Sequence, residues 1–334
     1  MKLLKIFLIG LFFLICCMAL LGIGLDHYAH TPLKREAEEK IFTILKGQSL
    51  GETAQNLAHL GLVKHPPLFL LIARIKKSDK QIRAGEYLLS PHMSPVEILS
   101  VFTSGHMFLR KLTIPEGYSM TQIAAAVAQS DLGSSTAFLQ AARETQFLQS
   151  MGVPAETCEG YLFPDTYHFP KGIMEKEIIK TMVERLRSVI TPAWEARARS
   201  LKMSLHQVLT LASIIEKETG VSHERPLISS VFHNRLKKNM RLEADPTVIY
   251  GMPDFCGNIT RKDLETITPY NTYQIRGLPP GPIANPGKES IEAALYPESS
   301  NFLYFVAKKD KTHEFSTTFK DHTMAVRRYQ LGRR

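Results

Sequence analysis

The chain has 334 residues, a formal net charge of +9, and 44% hydrophobic against 22% charged residues. That balance excludes a disordered or fibrous chain, and the length is too great for one ordinary core and right for two or three domains with an appendage. The positive charge suits nucleic acid, anionic lipid headgroups or an acidic polymer, and by itself chooses none of them.

The first element makes that choice. "MKLLKIFLIGLFFLICCMALLGIGLDHYAH" carries Lys2 and Lys5, an uncharged run from Ile6 to Leu25, and then Asp26. A run of that length matches a hydrocarbon core of about 30 Å and predicts a transmembrane helix over 6–25. A cleaved signal peptide would have a shorter apolar stretch and a small-residue cleavage site, and no convincing site follows. By the positive-inside rule residues 1–5 stay in the cytoplasm, so everything after Leu25 lies outside the membrane that the single span crosses. No nucleic acid is an expected partner there, whereas membrane lipid is. Cys16 and Cys17 fall inside the span, and Ile15 stands where a lipidation motif needs a small residue. Cys158 and Cys256 can pair in an oxidising compartment or stay free.

A polar linker over 26–40, ending in "KREAEEK", leads to "IFTILKGQSLGETAQNLAHLGLV". Here Thr43 and Ile44 predict a strand, Lys46 and Gly47 a turn, Ser49 a helix N-cap, and Ala54, Leu57 and Ala58 the buried face of a short helix. Seventy positions on, "LTIPEGYSMTQIAAAVAQ" repeats the scheme, pairing Thr113 with Thr43, Gly117 with Gly47, Ser119 with Ser49 and Ala124 with Ala54. A strand, a glycine turn and a hydroxyl-capped helix is a common unit with no binding duty of its own. Its pattern also resembles the opening of a LysM module, a small βααβ fold whose resemblance implies binding of N-acetylglucosamine polymers. Between the echoes, "IRAGEYLLSPHMSPVEILSVFTSG" predicts another strand, a proline turn and a helix starting near Ser94, so residues 41–130 read as a LysM-like module region.

From Ser134 to Arg199 the periodicity is helical, interrupted by "EGYLFPDTYHFPKG", an aromatic stretch with two prolines that predicts a packed loop. Ser204 can cap the next helix, "LHQVLTLASIIEKET", and "HERPLISSVFHNRLKKNM" gives a second amphipathic helix with Ile228, Val231, Phe232 and Leu236 at helical spacing. Loop-rich stretches follow, and "FLYFVAKKDKTHEFS" predicts a β-hairpin turning at Lys309 to Lys311.

Along the first of these helices His206, Thr210, Ser213 and Lys217 fall on one side, expected to be wet, while Val208, Leu211, Ala212 and Ile215 centre the dry side. Glu216 and Glu218 flank the dry side at similar angles, and periodicity does not choose between them. An acid at the edge of an apolar face is partly desolvated, which favours its protonated form, the form a general acid needs. The alternative is two helix-end acids paired with Lys217, Arg225 or Arg235.

"EGYLFPDTY", "LASIIEKET", "VFHNRL", "MRLEADPTVIYG", "YNTY", "GLPPGPIANPG" and "FLYFVA" stand in this order and together resemble the YceG-like family of endolytic murein transglycosylases. The match runs from anchor to tail and is densest from Leu211 to Ala307, with a looser segment around Pro253 to Gly257. The resemblance implies an α+β architecture: the transmembrane helix, the LysM-like module, and a mixed α+β catalytic domain over 131–334 with core motifs in 204–307. It further implies a membrane-anchored lyase that cuts nascent peptidoglycan glycan strands between N-acetylmuramic acid and N-acetylglucosamine, leaves 1,6-anhydro ends and limits strand length. The family's catalytic glutamate falls on Glu218. Candidates for substrate contact are Glu216, Asn234, Asp245, Thr247, Tyr250, Asn271 and Tyr273, any of which can instead serve the fold.

One acid suffices for such a lyase, because the C6 hydroxyl of muramic acid replaces the water and second carboxylate of a hydrolase. No cofactor or metal is expected, since no tight ligand spacing such as H-E-x-x-H occurs. Peptidoglycan synthases (penicillin-binding proteins) are the protein partners the resemblance suggests, although no residue identifies one. The rival readings are a non-catalytic peptidoglycan-binding scaffold, a muramidase-type hydrolase using Glu216 or Asp245 as second carboxylate, and a metal-dependent amidase.

Overall fold

A computed structural model describes residues 2–33, 38–252, 255 and 257–331. The architecture is mixed α+β, with helices predominating and the strands paired in two-stranded antiparallel or short ribbons. The chain divides into two compact units, the first running to Arg110 with His168–Lys171, the second formed by Lys111–Tyr167 and the residues from Gly172 onward.

The first unit opens with α1 (Lys2–His30), long and apolar enough to cross a membrane. The helix runs past the expected end of the span, so residues 26–30, read as linker from the sequence, are its last turn and more. No helix breaker intervenes before Pro32, and Ala29 is buried in the core of the unit. Then come β1 (Lys40–Ile44), α2 (Leu50–His59), α3 (Pro66–Ile75), β2 (Gly85–Leu89) and α4 (Pro95–Ser104), with β1 and β2 antiparallel and Phe42 opposite Tyr87. Ser49 and Ser94 each close a capping box, with Glu52 and Glu97 returning a bond to the cap. Phe42, Tyr87 and Phe102 meet at the centre, the last two edge to face at 4.9 Å.

The strand β3 (Leu109–Thr113) opens the echo of that pattern. Ser119 closes a capping box on α5 (Met120–Gln129), and Gly117 repeats the positive φ of Gly47, at +74° and +84°. Next are α6 (Ser135–Ala141), α7 (Thr145–Ser150) and β4 (Thr166–Pro170), which pairs with β3. The aromatic stretch read as a loop thus contains a strand. Tyr167 and Phe169 are buried while Thr166 and His168 are exposed, a period of two hidden between the prolines.

Two helices, α8 (Glu175–Val189) and α9 (Pro192–Ser200), lead to α10 (Leu205–Glu218), the helix around which the second unit packs. The expectation of a wet side on α10 fails: Thr210 and Ser213 are 1% and 0% exposed, so the helix is buried all round from Val208 to Ile215. Their hydroxyls reach helix carbonyls, and Ser213 also accepts the Ile283 N–H at 3.0 Å, which makes burial tolerable. Against it pack α11 (Arg225–Lys237), α12 (Asp245–Tyr250) and α14 (Lys288–Leu295), with α13 (Arg261–Glu265) between α12 and α14 in the chain. The chain closes with the expected hairpin, β5 (Tyr304–Ala307) against β6 (His313–Ser316), and then α15 (Phe319–Tyr329).

Candidate active site

The C-terminal end of α10 opens into a cleft of about 480 Å³. Glu218 is the last residue of the helix, and Thr219, extended at φ −139°, ends it there. Asp245 enters from the start of α12, Tyr273 from the loop before α14, and Arg235 from α11. The far wall is the β5–β6 hairpin with His313, and α15 with His322 and Val326.

Glu218 keeps an edge open to the cleft but is otherwise enclosed. That enclosure pushes its carboxyl up to about 8, the negative charge of Asp245 adds to the effect, and Arg235 opposes it. The negative end of the α10 dipole works in the same direction as Asp245. Asp245 is fixed by the Tyr273 hydroxyl, which donates to it at 2.7 Å. Enclosure and this bond to a carboxylate both raise the Tyr273 phenol, so it remains a donor.

Arg235 binds the cleft together. Its guanidinium donates to the carbonyls of Leu303 (2.6 Å) and Leu242 (2.9 Å) and to the Glu243 carboxylate (3.0 Å), and it stacks over Tyr304 at 5.1 Å. These bonds join α11 to the loop before α12 and to the approach to β5, so the walls share one anchor. His313 is held by Glu224, whose carboxylate accepts its backbone N–H (2.9 Å) and contacts its Nδ1 (2.7 Å). The buried Nδ1 of His322 has no hydrogen-bond partner among the described residues, and its ring stacks on Tyr304 at 5.2 Å. Enclosure, then the charge of Arg235, lower its pKa against the opposing charge of Glu243, which favours the neutral imidazole.

Of the residues singled out in the sequence, Glu218, Asp245 and Tyr273 come together in this cleft. Glu216 turns elsewhere. Its carboxylate pairs with Arg225 (3.5 Å) and accepts the Gly287 N–H (3.0 Å) at the start of α14. Asn234 donates to the carbonyls of Ser300 and Phe302, and Asn271 to those of Asp263, Leu264 and Thr266. Thr247 is buried against Ala244 and Thr272. The Tyr250 hydroxyl donates to Glu159, a buried acid raised to about 7 by enclosure and held by the Met120 N–H and the Asn285 amide. Cys158 is a buried free thiol, and Cys256 lies outside the described residues.

Glu224, His313 and His322 escaped the sequence reading, and Arg235 entered it only as an alternative partner of the helix-end acids. For Arg235 a signal exists: with Ile228 and Phe232 it falls on one helical stripe, and an arginine on an apolar stripe calls for buried partners. The histidines carry no such mark, because their place depends on how the last hairpin and α15 fold back.

Comparison with known proteins adds an independent line. The sequence model of the YceG-like family matches residues 42–328. The endolytic murein transglycosylase of Bacillus subtilis (strain 168) is 34% identical, over 89% of this chain and 87% of that protein. That of Streptococcus pneumoniae serotype 2 (strain D39) is 30% identical over 85% of this chain, which spans 57% of the longer pneumococcal protein. The crystal structure of a yceG-like protein from Listeria monocytogenes aligns with a TM-score of 0.61 and 36% identity, covering 86% of this chain and 98% of that one.

Proposed function

The chain belongs to the YceG-like family, and on that premise we propose that it is a lytic transglycosylase that cuts peptidoglycan glycan strands, with Glu218 as its proton donor and acceptor. The observation that carries this reading is the enclosed Glu218 carboxyl, held protonated near neutral pH at the edge of a cleft that also contains a fixed carboxylate.

In the first step the Glu218 carboxyl gives its proton to the oxygen between N-acetylmuramic acid and N-acetylglucosamine, and the bond from that oxygen to muramic C1 breaks. Positive charge develops on C1 and the ring oxygen, and the Asp245 carboxylate, oriented by Tyr273, supplies the opposing charge. In the second step the C6 hydroxyl of the same sugar attacks C1 while Glu218, now a carboxylate, takes its proton. The product end is 1,6-anhydro-muramic acid, and the enzyme is returned to its starting state.

The helix α1 supports a single-pass anchor in the inner membrane, with Lys2 and Lys5 cytoplasmic and the chain beyond Leu25 periplasmic. The order β1, α2, α3, β2 with an antiparallel strand pair supports a LysM-like, glycan-binding reading of the first unit. An anchored cutter reaches strands as they leave the membrane and limits their length, next to the synthases that extend them.

The presence of Asp245 in the cleft also favours a second reading, hydrolysis with Asp245 activating water. Mass spectrometry of strands digested by the full-length chain separates the two, because hydrolysis leaves an end one water heavier. Anhydro ends with the wild type and none with Glu218→Gln are expected. Reducing ends would establish the hydrolase, and undiminished cutting by Glu218→Gln would remove Glu218 from the chemistry.

A further inference from the structure

We propose that α3 is a membrane-interface helix whose outward face, Leu68, Leu71 and Ile75, lies in the outer leaflet of the bilayer, an inference that rests on α1 being a membrane span. The helix "PPLFLLIARI" is apolar on both sides. Phe69, Ile72 and Ala73 face the core of the first unit. On the opposite side Leu71 and Ile75 are 44% and 62% exposed, an apolar stripe at helical spacing.

The position of α1 identifies what covers that stripe. A groove of about 760 Å³ is lined by Leu20, Leu21, Gly24 and Leu25 of α1 and by Leu68 and Leu71 of α3. At about 1.5 Å per residue, the uncharged run Ile6–Leu25 just fills a hydrocarbon layer of about 30 Å. Leu25 then marks the outer edge of that layer, and Leu21 lies about 6 Å beneath it. Side chains of α3 that share a groove with Leu20 and Leu21 are therefore at hydrocarbon depth. That depth agrees with the roughly 5–10 Å to which interfacial helices bury their apolar faces.

The start of α3 is fixed at headgroup level. The Tyr28 hydroxyl donates to the His65 carbonyl at 3.2 Å and accepts the His65 N–H at 3.3 Å. Tyrosine favours that level of a bilayer. Lys64 before the helix and Arg74, Lys76 and Lys77 at its end are all exposed, a basic rim suited to anionic headgroups. Two elements, α1 and α3, then hold the first unit at the membrane surface, and it cannot swing freely on a single helix.

Depth-resolved fluorescence quenching tests this. The full-length chain carrying Trp194→Phe, which removes its one tryptophan, receives Leu71→Trp and is reconstituted in vesicles of phosphatidylethanolamine and phosphatidylglycerol with doxyl-labelled lipids. Ile75→Trp repeats the reading from the next turn. Ile15→Trp in the span and Leu45→Trp, at a position 66% exposed after β1, are the controls. Leu71→Trp is expected to emit to the blue of Leu45→Trp and to lose more intensity to a doxyl group near the headgroup than to one near the chain end. Ile15→Trp is expected to show the reverse order, and Leu45→Trp to respond only to aqueous acrylamide. If Leu71→Trp and Ile75→Trp also respond only to acrylamide while Ile15→Trp is quenched by lipid, the interface helix is refuted and the span stands. If Ile15→Trp escapes lipid too, the span fails and the inference falls with it. A blue-shifted Leu71→Trp that no lipid probe reaches overturns it in favour of a protein partner, a second copy included.

Discussion

Glu216 and Glu218 are two residues apart, and their surroundings give them different chemistry. Glu216 meets a guanidinium and a backbone N–H, which tie it to α11 and α14. Glu218 meets enclosure and the charge of Asp245, both of which penalise its charged form. Periodicity placed both acids at the border of an apolar face, and only the resemblance pointed to Glu218. What distinguishes them is tertiary, since Arg225, Gly287 and Asp245 come from other elements. Asp245→Asn removes the like charge, so Glu218 should ionise at lower pH. The pH at which glycan cleavage declines is then expected to move down. An unchanged profile in that variant would mean that Asp245 does not act on Glu218.

At the scale of elements, the capped helices were legible because a cap is written locally. Ser49, Ser94 and Ser204 each announce a helix start, and each closes a capping box. The short helices α12 and α14 were not legible, since their few residues lie among prolines and glycines and owe their form to packing on α10. The wet side of α10 was misread for a related reason: Thr210 and Ser213 satisfy their hydroxyls on the helix itself and so can be buried. Glu216 belongs at this scale, as the clamp between the end of α10 and the start of α14. Glu216→Gln weakens its pairing with Arg225 and is expected to cost about 1–3 kcal/mol of stability, a fall of several degrees in Tm, with cleavage by the folded variant near the wild-type rate. Loss of cleavage at an unchanged Tm would instead put Glu216 in the chemistry.

For the whole molecule, the apolar N-terminal run and the first capped helices and strands could be read directly from the residues, because hydrophobic length and periodicity are properties of the chain alone, while the α+β architecture came with the family resemblance. The division into two units could not. The first unit takes back His168–Lys171 from far along the chain, and the cleft in the second is closed by α15, a segment without any motif. The site is thus assembled from α10, α11, α12, the last hairpin and the last helix, all arranged to enclose one carboxyl. The most direct measurement is the pH dependence of kcat/KM for cleavage of purified glycan strands by the full-length chain. With a protonated Glu218 as the active form, kcat/KM should hold through neutrality and fall as pH rises past about 8. A decline already centred near 4.5, the ordinary glutamate value, would contradict the account.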